Sequence, residues 1–540
     1  MHLISKSIKS FVTLRNFLLI LIQLFLFISC HVAVAQEIIS QNPSQIEEQK
    51  LIQIINAKDL RQVYFNDTTQ FQTLAGNAIV RQGTTILSGD SIAINKISGI
   101  VEVFGNVHIN DNNKINTYSQ YVKYIGAEQV AYLKNKVKLT DGKSELYTND
   151  LTYDVKTGIA VYTNGGKVIN GKTILTSENA TYNSYSKDVN FNSKVHLVDP
   201  KYDMTSESLR YNTISQNAYF TTATHIKSEK GIIETKNGNY NIGSGSASFL
   251  DQPTFTSRDK FITGQEVLFD DKKNTIEIKN NGKIIDTTQK LIVNGSHILI
   301  DNKNNTFLAT EKPVMVFYDK IDSTFITADT LFYSKTPPLK TSESKDSISV
   351  FNAYHNVRIF NDSIQAVCDS MFVFSVDSTL RLMGNPICWN GNNQITGDTI
   401  LLFSKNQQPQ KISVYYNAIL INKTDVGYYN QIGGKTMNGF FTNGQIEYIR
   451  TKGTPAESIF YPQDEKKLYT GMNRNKGDVI DIIFLKEEIT KIKFVNDVTG
   501  TLYPLQQIPK DLNRLKNFNW QITKRPLNKF EFYRYNNTMQ

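Results

Sequence analysis

The most constraining feature of this chain is a phrase that it keeps repeating. In the clearest copy, residues 89–111 (GDSIAINKISGIVEVFGNVHIND), a polar turn, Gly89-Asp90-Ser91, precedes a run with Ile92 and Ile94 on one face and Ala93 and Asn95 on the other. Residues 96–99 read as a polar reversal. Val101 and Val103 then alternate with Glu102 and Phe104, Gly105-Asn106 breaks the run, and Val107 and Ile109 resume it around His108. Alternation with period two marks half-buried strands. Gly, Asn and Asp between the runs are turn formers, because they tolerate positive φ or bond their own backbone.

The phrase recurs along the chain. Gly76-Asn77-Ala78 and Gly105-Asn106-Val107 are followed by degraded copies at Asn135-Lys136-Val137, Gly166-Lys167-Val168, Ser193-Lys194-Val195 and Gly282-Lys283-Ile284. Others stand at His355-Asn356-Val357, Gly384-Asn385-Pro386 and Tyr416-Asn417-Ala418. The intervening strand returns as LTYD (from Leu151), ATYN (Ala180), LRYN (Leu209), VLFD (Val267) and ILID (Ile298). Neighbouring copies lie roughly 30 residues apart, which is a repeat architecture. Such a body grows by stacking and is not limited by one globular core, so 540 residues need not mean several domains. Asn, Thr, Ser, Ile, Val and Tyr dominate over long Ala/Leu/Glu runs, which favours sheet over helix. The fold class expected is all-β.

Taken in order, residues 1–35 read as an export signal. They hold Lys6, Lys9 and Arg15, an apolar stretch over 17–28, and Ala33-Val34-Ala35 as a cleavage site. A rival reading makes Cys30 the lipidated residue of a loose lipobox. Residues 36–60 form a polar leader with a helical-looking patch over 46–55. Residues 61–335 carry the clearest repeats. The segment 336–348, with Pro337-Pro338, is a linker or a long loop. Residues 349–500 continue the repeats, and 501–540, with Pro504, Pro509, Pro526 and Trp520, read as a cap or tail.

Little in the sequence points to chemistry. The net charge of +9 is mild for this length, and no Lys/Arg cluster marks a nucleic-acid module. Lys134, Lys136 and Lys138 read as a solvated strand face, or as a contact to anionic lipid headgroups. The isolated histidines (His108, His196, His225, His297, His355) have no metal-ligand spacing. Gly243-Ser244-Gly245-Ser246 lacks the helix and Lys of a phosphate-binding loop and reads as a hairpin. Asp90, Asp150, Asp329, Asp369 and Asp398 recur at equivalent places, which suits turn-setting rather than catalysis. Cys368 and Cys388 form either a disulfide or two buried thiols. Tyr124, Tyr153, Tyr182, Tyr211, Phe269, Phe332 and Phe374 fall near one phase, as core packing or as the wall of a lipid groove. No catalytic residue, cofactor or metal is expected.

The export signal, the repeat, the Gly-Asn-Val motif and the partner strand closing on Asp or Asn together resemble the OstA-like family, periplasmic lipopolysaccharide-transport proteins of the organic-solvent-tolerance type. The resemblance spans roughly residues 60–500. It implies an elongated, V-shaped antiparallel β-jellyroll whose apolar interior carries the acyl chains of lipopolysaccharide. It also implies a periplasmic bridge between an inner-membrane extraction complex and an outer-membrane translocon, with end-to-end self-association as a further option. About 14 repeats exceed those of the short bridge member, and the membrane-barrel strands of the outer-membrane member are not seen. The groove candidates are Val101, Val103, Val107, Ile109, Val137 and Leu139, which share one alternation phase. The competing readings are a repeat-built envelope scaffold or adhesin, lipid-anchored if Cys30 is modified, and a parallel β-helix enzyme, for which the singular acidic or basic cluster is missing.

Overall fold

The structure, a computed structural model, describes residues 52–534 apart from 337–347 and brief stretches at 67–68, 112–114, 141, 143, 201, 213, 230, 242, 320–322, 375–378, 406–407, 443–444 and 486–487. The expected export signal with Cys30, the leader up to residue 51, and 337–347 lie outside the described residues. The chain divides into two units, Met1–Ile276 and Glu277–Gln540. The division falls inside the strand Thr275–Asp286, not at 336–348. The strands flanking that segment pair directly with each other, out to Thr336 opposite Ile348.

Each unit is built of antiparallel strands. In the first, Ile100–Asp111 pairs with Thr85–Asn95 on one side and with Ile115–Ile125 on the other. Pairing lapses at Gly105-Asn106, where φ is 68° and 44°. The sequence reading makes this a turn. The structure instead runs the strand through it, so the two left-handed residues form a corner and not a reversal. The same two-residue corner stands at Gly76-Asn77, Asn135-Lys136, Ser193-Lys194 and Asp251-Gln252 in the first unit. In the second it stands at Asn280-Asn281, Glu311-Lys312, His355-Asn356, Gly384-Asn385 and Tyr416-Asn417. Left-handed backbone strains most L-residues by about 1–2 kcal/mol each, and Gly and Asn least, which explains why those two types recur. Two such residues turn the strand while keeping its alternation, so both arms bury the same phase: Val103 before the corner and Val107 after it.

The recurrent aspartates hold these corners from the neighbouring strand. Gly89-Asp90-Ser91 is likewise no turn but lies within the strand Thr85–Asn95. There the Asp90 carboxylate accepts from Asn106 Nδ2 at 3.1 and 3.2 Å. Asp150 takes Asn164 (2.8 Å), Asp329 takes Asn356 (2.9 Å) and Asp398 takes Asn417 (3.0 Å). At Asp369 the partners are His355 Nδ1 (3.1 Å) and the Ser370 hydroxyl (2.7 Å). The true reversals are set by the residue closing the mid-repeat strand. Asn95 Oδ1 accepts the Ile97 and Ser98 amides, Asn183 those of Tyr185 and Ser186, Asn212 those of Ile214 and Ser215, and Asp301 those of Lys303 and Asn304. Gly243-Ser244-Gly245 is one of these reversals, capped by Asn241, as its hairpin reading expects.

The corners divide the ladder into two wings whose inner faces meet. In the first unit Phe255, beyond a corner, packs on Phe269 of the other wing at 4.8 Å between ring centroids. The helical-looking patch over 46–55 is corrected where it is described: Ile52–Asn56 is a strand against Thr69–Gln82. Ladder hydrogen bonds along a free edge outweigh a weak helical spacing.

The corner is testable. A Cβ on Gly105 would meet Asp90 Oδ2 at 2.2 Å, whereas one on Gly83, also at positive φ, meets nothing within 4 Å. Gly83→Ala should cost about 1–2 kcal/mol of stability, from backbone strain alone. Gly105→Ala should cost about 3 kcal/mol or more, as strain adds to steric displacement. Urea titration followed by circular dichroism reads both, and equal losses would contradict the role given to the corner.

Candidate functional site

Cross-strand register turns the inner phase of the first unit into continuous rows. On the wing before the corners, Leu74, Ile92, Val103, Val122, Leu133 and Leu151 stand opposite one another on successive strands. Farther from the corner a second row alternates bulky and small residues. It runs Val101, Tyr124, Ala131, Tyr153, Ala160, Tyr182, Val189, Tyr211, Ala218, Tyr240, Ala247 and Phe269. On the other wing Leu87, Ile109, Thr117, Leu139, Leu146, Val168, Leu175, Leu197 and Met204 form a third row. None of these residues is charged. All six sequence candidates therefore share the inner face, but they do not share one environment.

Val103, Val107 and Val137 lie beside the corners and are 0–1% exposed. Val107 stands opposite Ser119 and Val137 opposite Thr148, small residues that let the wings close there. A Cβ on Gly89 would meet Val103 Cγ1 at 2.5 Å, so the corner end of the interior is shut by packing. Leu139 is buried one step farther out. Val101 and Ile109 are half-buried and lie in the rows away from the corner.

The aromatic phase read from the sequence is correct for Tyr124, Tyr153, Tyr182, Tyr211 and Phe269, which all fall on the second row. Phe332 is one residue out of phase with the buried Leu331, and Phe374 carries Arg381 over its ring at 4.5 Å. Tyr182, Tyr211 and Tyr240 are buried outright, so these rungs are filled core. Burial pushes the phenols of Tyr153 and Tyr162 up to about 12. Tyr162 also shares a 2.7 Å hydrogen bond with Ser177.

Beside the three rows, charge stands on the outer phase. Lys138 pairs with Glu145 at 2.6 Å, which holds the Lys138 ammonium above and the Glu145 carboxyl below their ordinary ranges. His108 stacks on Tyr118 at 4.6 Å and bonds Asn116 at 2.8 Å. Tyr121 is pushed up to about 12 by burial and then by its hydrogen bond to Glu102. His196, His297 and His355 each face a carboxylate across the ladder at 3.0–3.1 Å. Among the described residues no group of three or more His, Cys, Asp or Glu is placed to hold a metal ion.

Cys368 and Cys388 are free thiols, so the disulfide alternative is not what the structure holds. Cys388 stands opposite Ala366, with Cys368 two residues farther along that strand. Burial pushes both thiols up to about 12. They should therefore stay protonated and resist iodoacetamide at pH 8 in the folded protein, because the thiolate is the reactive form. Mass spectrometry of the two cysteine peptides should show alkylation only after unfolding and without reductant. A bridged peptide pair, or fast native labelling, would contradict this.

Residues 49–207 match the family model described as OstA-like protein. This stretch of the chain, which holds the aliphatic part of the inner rows, is OstA-like. A similar solved structure is titled as the crystal structure of LptH, the LptA homologous periplasmic component of the conserved lipopolysaccharide transport device from Pseudomonas aeruginosa. It is 16% identical, aligned over 28% of this chain and 96% of that one, with a TM-score of 0.16. No curated protein matches the chain.

Proposed function

We propose that this protein is a periplasmic carrier of lipopolysaccharide, holding its acyl chains between the two wings and passing them from an inner-membrane extraction complex toward an outer-membrane translocon. The observation that carries the reading is the set of uncharged apolar rows, unbroken from strand to strand, within the stretch that matches the OstA-like family. About ten buried methylenes contribute about 8 kcal/mol. That is the free energy of a micromolar complex before the cost of parting the wings. Neither a metal nor a covalent step is needed.

On this reading the contact falls on the rows away from the corner. An acyl chain that parts the wings would lie against Val101, Ile109 and Leu139 and stop short of the packed floor at Val103, Val107 and Val137. Photo-crosslinkers at Val101, Ile109 and Leu139 should capture lipopolysaccharide in cells, and those at Glu102, His108 and Lys136 should not. Val107→Asp should act mainly on folding, since it buries an unpaired carboxylate in a packed corner. Its melting temperature is the control. Equal labelling of the inner and outer sets would overturn the reading.

A further inference from the structure

The two units differ on the face opposite the interior. In the first, the outer row is mixed and open or half-open to solvent: Asn110, Asn116, Thr140 and Glu145 are followed by Ile169, Ile174 and Val198, and then by Asp203 and Lys227. In the second, the equivalent row alternates carboxamides with large apolar groups. Gln365, Trp389, Gln394, Ile421, Gln431 and Ile459 stand directly opposite one another on successive strands. Each is 3% exposed or less. What buries them is the chain's own segment 512–532, which runs across the strands along this row in the reverse direction.

Two of the three glutamines hold this strap by its backbone, and the third by an arginine side chain. Gln431 donates to the Asn513 carbonyl (2.9 Å) and accepts the Leu515 amide (2.8 Å). Gln394 repeats the pattern six residues on, donating to the Asn519 carbonyl (2.7 Å) and accepting the Gln521 amide (2.8 Å). Gln365 accepts Arg525 Nε at 2.8 Å. Leu515 packs on Ile421 and Ile459, and Phe532 on Phe325 and Phe360. A carboxamide carries the donor and acceptor of a peptide group, so Gln431 and Gln394 read main chain, while Gln365 holds the Arg525 side chain. The strap forms no ladder with the sheet: residues 508–530 contain no strand. If it lifts away, water can satisfy the exposed amides, so its release does not require the body to unfold.

We propose that this row is a recognition track for a polypeptide segment that offers a carbonyl and, two residues on, an amide in a six-residue repeat, and that the C-terminal segment is its exchangeable occupant. The track binds the same segment supplied in trans, from a second copy of the chain or as a free peptide. This holds whether or not the interior carries lipid.

Two measurements decide it. In the intact protein, hydrogen exchange should show the Leu515 and Gln521 amides exchanging together, at least about tenfold faster than the ladder amides of Ile419 and Ile421. In protein cleaved after folding at a protease site inserted between Lys510 and Asp511, a labelled peptide of residues 509–534 should replace the nicked strap. N-methylation of that peptide at Leu515 or Gln521, or Gln394→Leu in the body, should weaken binding about tenfold. N-methylation at Lys516 should not. Strap amides that exchange no faster than the ladder, a nicked strap that never exchanges, or methylated peptides that bind as well as the parent would each overturn the proposal.

Discussion

Everything in this protein depends on a strained pair of residues. A β-strand left to itself twists and continues. Here, at each corner, two adjacent residues enter the left-handed region, the ladder lapses, and the strand resumes in a new direction with its alternation intact. Because the phase survives the corner, one set of side chains can line both wings and one set can face solvent. The Asp–Asn hydrogen bonds between neighbouring strands tie one corner to the next, so the strain is distributed over a column of corners. Lys136, Lys194 and Tyr416 occupy left-handed positions that their side chains disfavour, so the column rather than residue preference sets the conformation there.

Much of this was legible because the signals are local. Period-two alternation, Gly-Asn pairs and recurrent aspartates gave the strands, the phase and the repeat, and the six groove candidates all landed on the inner face. What a Gly-Asn pair does was not legible. The same residues serve a reversal and a corner, and only hydrogen-bond register separates the two. The environment of each candidate was equally hidden: Val101 and Val103 look equivalent along the strand, yet one is half-buried and the other is packed against Gly89. Phe332 and Phe374 show how a one-residue slip moves a side chain to the other face.

The strap was the least legible feature, for a related reason. Gln365, Gln394 and Gln431 are unremarkable polar residues in sequence, separated by long stretches of chain. They become one site only when register places Trp389 between the first two and Ile421 between the last two. A polar residue on an outer face is normally solvated. Three fully buried ones, spaced by large apolar groups, require polar partners, and the proline-interrupted tail supplies main-chain groups to Gln394 and Gln431 and the Arg525 guanidinium to Gln365. The sequence did carry a trace of this: Ile419 and Ile421 take the outward positions that Lys136 and Lys138 border in the first unit, so that face changes from wettable to one needing cover.

The match between strap and sheet also couples two lengths. Six residues of strap, from Leu515 to Gln521, advance from Gln431 to Gln394, which is two strands of sheet. The body can lengthen by adding hairpins without disturbing its inner rows, because each hairpin meets only its neighbours. The covered face does not share that freedom. A hairpin inserted between Gln365 and Gln431 would leave the strap about six residues short, so the number of rungs and the length of the tail must change together. The tail thus acts as a ruler for the unit it covers.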